Sequence, residues 1–294
     1  MRAHCEVHVE WRLLAKVMPM RINQAGLSVL EAFEVKACFI AVVMSVSVAA
    51  AAHGQAVFDT TVESTPGLLG YWNFTAASTS NSAVNGYTGS FVGNAALAKR
   101  QAPPVTGTSS TSIALNLSGT PGGYLISDGS KPLAGGIGAT GSVIAWFKME
   151  ALPSTENRYF SIAGESQVGN DFDLQLENDD RLYFYTDSGS AVVSPTAFTS
   201  ADVGKWFFVS ATFTANGVRT LYINGKAVAT NTAGNHSANT ASFYIGESPV
   251  FTGRYFDGYI SDAAIFNTSL TAKQVKAIWT SRKTPVGVPP ALQK

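Results

Sequence analysis

Reactive side chains are scarce in this sequence. Of its 294 residues two are cysteine and four are histidine, and Cys5, Cys38, His4, His8 and His53 all precede residue 57. From Val57 onward there is no thiol and one imidazole, His236. That segment therefore holds no disulfide framework, no Cys/His zinc site and no cysteine nucleophile. Charge is sparse as well: fifteen Lys and Arg against sixteen Asp and Glu from Val57 onward give a net charge of −1 with no basic run. Nucleic acid and anionic membrane are poor partners for such a surface. A Ser-His-Asp hydrolase would have to use His236, which lies in the polar stretch "NTAGNHSANTAS", and the chain has no Gly-x-Ser-x-Gly elbow. His236 reads as a surface-loop residue.

One long apolar run is present. Ala37 to Ala52, "ACFIAVVMSVSVAAAA", follows Lys36 and precedes Gly54-Gln55-Ala56. A charged flank, an apolar stretch and small residues at its end read as a secretory signal, which makes residues 1–56 a leader. The stretch before it is long and carries Glu31 and Glu34, so translation starting at Met18 or Met20 fits better. The uncharged run from Lys36 to Asp59 also approaches the roughly 20 residues that span a bilayer, which keeps an uncleaved anchor as the alternative. With cleavage, the mature form is secreted and carries no membrane segment. Residues 57–282 then form the domain, and residues 283–294, with Pro285, Pro289 and Pro290, form a loose tail.

Within 57–282, short runs rich in Val, Ile, Phe, Tyr and Trp recur between Gly, Asn, Ser and Thr clusters, and this predicts an all-β domain. Asn216-Gly217 and Asn224-Gly225 separate such runs and suit tight hairpins, because Asn-Gly tolerates positive φ. One helix is expected near the end: Thr271-Ala272-Lys273-Gln274 fits a capping box, Leu270 can staple onto Val275, and Val275, Ile278 and Trp279 share a face.

The stretch from Asp171 to Glu177, "DFDLQLE", alternates polar with large apolar residues as a half-buried strand does. With Asn178-Asp179-Asp180 as a three-residue turn, Glu177 opposes Arg181, Gln175 opposes Tyr183 and Asp173 opposes Tyr185. A two-residue turn would set Glu177 against Leu182 and is rejected. This register predicts a Glu177–Arg181 ion pair. It also puts Asp171, Asp173, Gln175, Tyr183 and Tyr185 on one face, mixing aromatic platforms with hydrogen-bonding groups as sugar-binding sites do. A plain solvated hairpin face has the same composition, since cross-strand aromatics stabilise hairpins by themselves.

Six landmarks follow in order: Gly70-Tyr71-Trp72-Asn73-Phe74; Gly86 to Phe91, "GYTGSF"; Ser142 to Lys148, "SVIAWFK"; Gly204 to Phe213, "GKWFFVSATF"; Leu221 to Lys226, "LYINGK"; and Phe256 to Phe266, "FDGYISDAAIF". This order resembles the laminin-G-like jellyroll modules of the concanavalin A-like lectin and glucanase superfamily. The resemblance implies a two-sheet antiparallel sandwich with one short C-terminal helix. Glucanases of that superfamily carry a Glu-x-Asp-x-Glu strand, and Asp173-Leu174-Gln175-Leu176-Glu177 keeps its spacing. Here Asp stands for the first Glu and Gln for the central Asp. The shorter Asp would stand back by roughly an ångström, and misplacement on that scale can cost about 10²-fold. Some relatives bind calcium through an acidic residue in the early loop and another in the late strand. This chain offers Asn81 and Asn85 in the loop and Asp262 in the strand, a weak donor set. Calcium stays open on that resemblance, and otherwise Asp262 caps a turn or faces water. The expectation is a secreted, non-catalytic module for a carbohydrate or an extracellular protein. A structural or adhesive surface protein is the alternative, and a degenerate glucanase comes third.

Overall fold

The computed structural model describes residues 57–74, 87–99, 101, 103–105, 113–127, 137–165, 171–186, 191–239 and 241–283. The expected leader and signal (residues 1–56), Met18, Met20, Asn81, Asn85 and residues 284–294 of the expected tail lie outside the described residues.

Two antiparallel sheets carry the domain. The first contains β1 (Leu68–Trp72), β3 (Ala96–Lys99), β4 (Ile113–Ser118), β6 (Gly141–Met149), β11 (Trp206–Phe213), β12 (Val218–Ile223), β13 (Lys226–Thr232) and β15 (Asp257–Phe266). Its order is β13-β12-β11-β6-β15-β4-β3. The long β15 is flanked by β4 along its first half and by β1 along its second. The second sheet contains β2 (Thr88–Gly93), β5 (Gly122–Ser127), β7 (Phe160–Glu165), β8 (Phe172–Leu176), β9 (Leu182–Thr186), β10 (Val192–Val193) and β14 (Phe243–Ile245), in the order β10-β9-β8-β7-β14-β5-β2. Such order, with neighbours distant in sequence, is that of a jellyroll-like sandwich.

The main core lies between the sheets, where Trp72, Phe147, Phe172, Phe184, Phe213 and Phe243 are all buried. Trp72 stacks on Phe243 at 5.9 Å between ring centroids. A second apolar layer covers the outer face of the first sheet. Helix Ala272–Ser281 and the helical segment 57–63 bring Phe58, Val62, Val275 and Ile278 against Trp146 and Phe208. The capping box forms as the sequence predicts: Thr271 accepts from the Gln274 backbone, and the Gln274 side chain accepts from the Thr271 backbone. Trp146 has no exposure, whereas Trp206 at the edge of this layer is only partly buried.

The turns partly follow their expected chemistry. Asn224 and Gly225 both adopt positive φ, 52° and 74°, and Ile223 pairs with Lys226, so a two-residue hairpin links β12 and β13. The loop between β11 and β12 is longer. Thr214 and Val218 close a three-residue turn in which Gly217 alone takes positive φ.

His236 is not a surface-loop residue. It is 1% exposed and packs against Phe172 and Phe213, with Nδ1 2.8 Å from the Gly138 carbonyl and Nε2 2.9 Å from Glu165 Oε2. A carbonyl only accepts, so Nδ1 carries a proton, and the Nε2–Glu165 bond holds one further proton between two buried groups. Burial pushes the imidazole pKa down, but the hydrogen bond and the negative charge of Glu165 outweigh it, and the net shift is upward.

Candidate functional site

The hairpin from Phe172 to Thr186 has the register read from its sequence: Asp173 opposes Tyr185, Gln175 opposes Tyr183 and Leu176 opposes Leu182. Its turn is closed by Glu177 N–H donating to Arg181 O, with Asp180 in the left-handed region at φ 61°. Ser154 fastens this turn through its backbone N–H and hydroxyl, both donating to the Asp180 carboxylate. Alternation then sends Phe172, Leu174, Leu176 and Phe184 into the core and Asp173, Gln175, Tyr183 and Tyr185 to the outer face of the second sheet.

Within this hairpin the outer face is buried along β8 and half-exposed along β9. Asp171, Asp173 and Gln175 are 7%, 4% and 1% exposed, whereas Tyr183 and Tyr185 are half-buried. On adjoining strands, Tyr244 donates its hydroxyl to Asp173 Oδ1. Arg254, from the loop after β14, places Nη1 3.4 Å from Gln175 Oε1 and 4.0 Å from Asp173 Oδ2. Burial is the main reason the Asp173 carboxyl titrates far above its ordinary range, at about 7, and Asp171 pushes the same way against the pull of Tyr244 and Arg254. The carboxylate cannot shed its proton cheaply where water is excluded.

The tyrosines are anchored at their hydroxyls. Tyr185 donates to Glu177 Oε1 at 2.7 Å and Tyr183 to Asp179 Oδ2 at 2.9 Å. Burial and then the bond to Asp179 push the Tyr183 phenol up to about 12, and burial with Glu177 raises Tyr185 as well. Both stay protonated donors. Their rings lie nearly parallel, 13° apart with centroids at 6.2 Å. The expected Glu177–Arg181 pair does not form. Glu177 accepts from Tyr185 and from Gln175, and Arg181 turns to Asp179 at 3.8 Å. The tyrosine hydroxyl reaches Glu177 from two same-face positions further along β9, while the exposed Arg181 gains little from any one partner.

Beside this face opens a cleft of about 340 Å³ lined by Asn157 to Tyr159, Asn178 and Thr252 to Arg254. Arg254 lies in its wall over two rings, its Cζ 4.1 Å from the Phe251 centroid and 5.2 Å from the Tyr159 centroid. Arg158 stacks on Tyr255 at 4.3 Å and pairs with Glu156 at 2.8 Å. Nothing in the sequence signals Arg254 or this cleft; a single arginine in "VFTGRYF" has no pattern that ties it to a strand 79 positions earlier.

The late-strand Asp262 does not face water. It is 1% exposed at φ 50° and accepts from the Tyr71 hydroxyl at 2.8 Å, with Asp59 2.6 Å from the same hydroxyl. Among the described residues no three His, Cys, Asp or Glu side chains gather as a metal site.

Residues 118–276, more than half of the chain, match the laminin-G-like profile of the concanavalin A-like lectin/glucanases superfamily. The chain belongs to this superfamily. No curated protein matches the sequence. Solved structures of similar fold include domain 4 of AbnA, an extracellular arabinanase from Geobacillus stearothermophilus, in complex with arabinotriose. It has a TM-score of 0.55 and 18% identity over 72% of this chain and 97% of that one. The binding domain of botulinum neurotoxin DC in complex with SialylT has a TM-score of 0.56 and 14% identity, covering 74% of this chain and 52% of that one. Trypanosoma rangeli sialidase has a TM-score of 0.54 and 15% identity, covering 79% of this chain and 38% of that one. The chain thus spans about half and about two fifths of the latter two. At these identities the likeness concerns the fold.

Proposed function

We propose that the protein is a secreted, non-catalytic module that binds carbohydrate at the outer face of the second sheet, where Tyr183 and Tyr185 meet the cleft beside Arg254. The observation that carries this reading is the pair of half-buried, parallel tyrosines with anchored hydroxyls next to a polar cleft. Aromatic rings receive the apolar faces of sugars, and amides and guanidinium groups receive their hydroxyls. Asp171, Asp173 and Gln175 form the layer beneath; Asp173 and Gln175 lie against Arg254, while Glu177 and Asp179 hold the tyrosine hydroxyls. That two of the similar structures are complexes with arabinotriose and with SialylT supports a sugar as ligand.

Catalysis is disfavoured by the state of the two carboxylates at the glucanase spacing. A retaining glycosidase needs a nucleophile and an acid/base about 5 Å apart, both open to substrate. Asp173 is buried with one oxygen taken by Tyr244, and Glu177 Oε1 accepts from two side chains. Secretion rests on the apolar run after Lys36, and sequencing the N-terminus of exported protein checks it. Intact leader in a membrane fraction would contradict it.

The test of function is a glycan array probed with the protein, with and without calcium. Tyr183→Ala and Tyr185→Ala should each weaken binding of the strongest glycan by about 1 kcal/mol or more, the scale of a lost aromatic contact, with an unchanged circular dichroism spectrum. Release of reducing sugar from a β-glucan, abolished by Glu177→Gln, would overturn the non-catalytic reading. Binding to an extracellular protein and to no glycan would favour an adhesive role.

A further inference from the structure

We infer that the cleft selects a carboxylated glycan, whose uronate- or sialate-type carboxylate is received by the guanidinium of Arg254. This rests on the carbohydrate reading above and names the class of sugar. The lining of the cleft contains two arginines, two asparagines, a tyrosine and a threonine, and no carboxylate. Such a wall offers many more donors than acceptors. An acceptor-rich ligand satisfies it best.

The two arginines are not equivalent. Arg158 already has Glu156 at 2.8 Å, and its side chain is only 12% exposed. Arg254 is 25% exposed, and its nearest carboxylate, Asp173, stands 4.0 Å away and is bonded to Tyr244 instead. Burial also keeps that carboxyl near half protonated at neutral pH, so it neutralises Arg254 poorly. Glu177 and Asp179 are bonded to the tyrosine hydroxyls, and Asp180 to Ser154.

Arg254 is also pre-organised. The Phe251 and Tyr159 rings beside it hold the guanidinium plane, so little rotamer entropy remains to be lost when a ligand arrives. A planar carboxylate can accept two parallel N–H bonds from that fork, which a hydroxyl cannot do. Asn178, whose amide nitrogen donates to Asn157 Oδ1 at 3.4 Å and leaves its own oxygen to accept, and Thr252 complete the lining for neighbouring hydroxyls.

The experiment compares the affinity of the protein for pairs that differ only in the carboxylate: an oligogalacturonate against its carboxyl-reduced form, and sialyllactose against lactose, by isothermal titration. A dextran sulfate oligosaccharide, which carries sulfate and no carboxylate, serves as a sulfated arm. At least one carboxylated member should bind tenfold or more tightly than its neutral partner, and added salt should narrow the gap. Arg254→Gln should erase the preference. Arg254→Lys, which keeps the charge and loses the fork, should retain only part of it, with unfolding midpoints recorded for both variants. If either variant fails to fold, the carboxylated-against-neutral pairs and the sulfated arm, measured on the unmodified protein, still test the preference for a carboxylate. Equal binding within both pairs overturns the inference and leaves the carbohydrate reading standing. Dextran sulfate bound as tightly as the carboxylated glycans, with a preference that survives Arg254→Gln, also overturns it, because diffuse charge then suffices. If no glycan of any kind binds, the carbohydrate reading falls with it.

Discussion

The outer faces of the two sheets have opposite fates. On the first sheet, Trp146 and Phe208 point outward and are covered by the chain's own helix Ala272–Ser281 and segment 57–63. On the second, Asp173, Gln175 and Tyr244 point outward into a thin polar layer finished by Tyr183, Tyr185 and Arg254. Strand composition tells them apart. Along β6 the run Val143-Ile144-Ala145-Trp146-Phe147 is apolar on both sides, as a strand covered on both faces must be, while β8 alternates. A sandwich that spends its helix on one sheet leaves the other free to meet a ligand.

The largest effect that should separate the two faces is on stability. Trp146 has no exposure and lies within 5.5 Å of Phe208 and 5.3 Å of Trp279 between ring centroids. Trp146→Ala should cost about 3–5 kcal/mol in urea unfolding, whereas Tyr183→Ala should cost no more than about 1. Equal costs would mean that the tyrosine face is as much core as the helix-covered one.

A smaller effect has the opposite sign. Folded, the Asp173 carboxyl stays protonated up to about pH 7, and unfolded it ionises near pH 4. Between those values the folded state binds more protons, so this group's contribution makes stability fall as pH rises from about 4 to about 7. Asp173→Asn removes the penalty and should make the protein more stable than the parent at pH 8, by up to about 4 kcal/mol. The gain should shrink toward zero near pH 4. A variant less stable at pH 8 would show that Asp173 is ionised and held by Arg254.

The smallest effect concerns the cover of the first sheet. Thr271→Ala removes the side-chain acceptor for the Gln274 N–H and should lower stability by about 1 kcal/mol, leaving glycan binding unchanged. A loss of binding instead would tie the helix to the ligand site.

What could be read from sequence was local and periodic. The β8–β9 register followed from strict alternation and a three-residue turn, and the helix from its cap. Strands with glycine and small residues, such as β5 with Gly122-Gly123, or with polar residues on both sides, such as β13, carried no comparable pattern. His236 was misread because its polar neighbourhood gives no hint of Glu165, 71 residues earlier, which supplies its buried partner. Arg254 escaped for the same reason. The candidate face is half legible in the sequence: alternation places its residues on one side, but not that Asp171, Asp173 and Gln175 are buried there.

Hydrogen–deuterium exchange of the protein with and without its strongest-binding glycan tests the central claim most directly. The account predicts slower exchange in the hairpin turn 177–182 and in the loop 251–255, with segment 57–63 and helix Ala272–Ser281 unchanged. Protection of the helix-covered face, with the hairpin and the Arg254 loop unaffected, would contradict it.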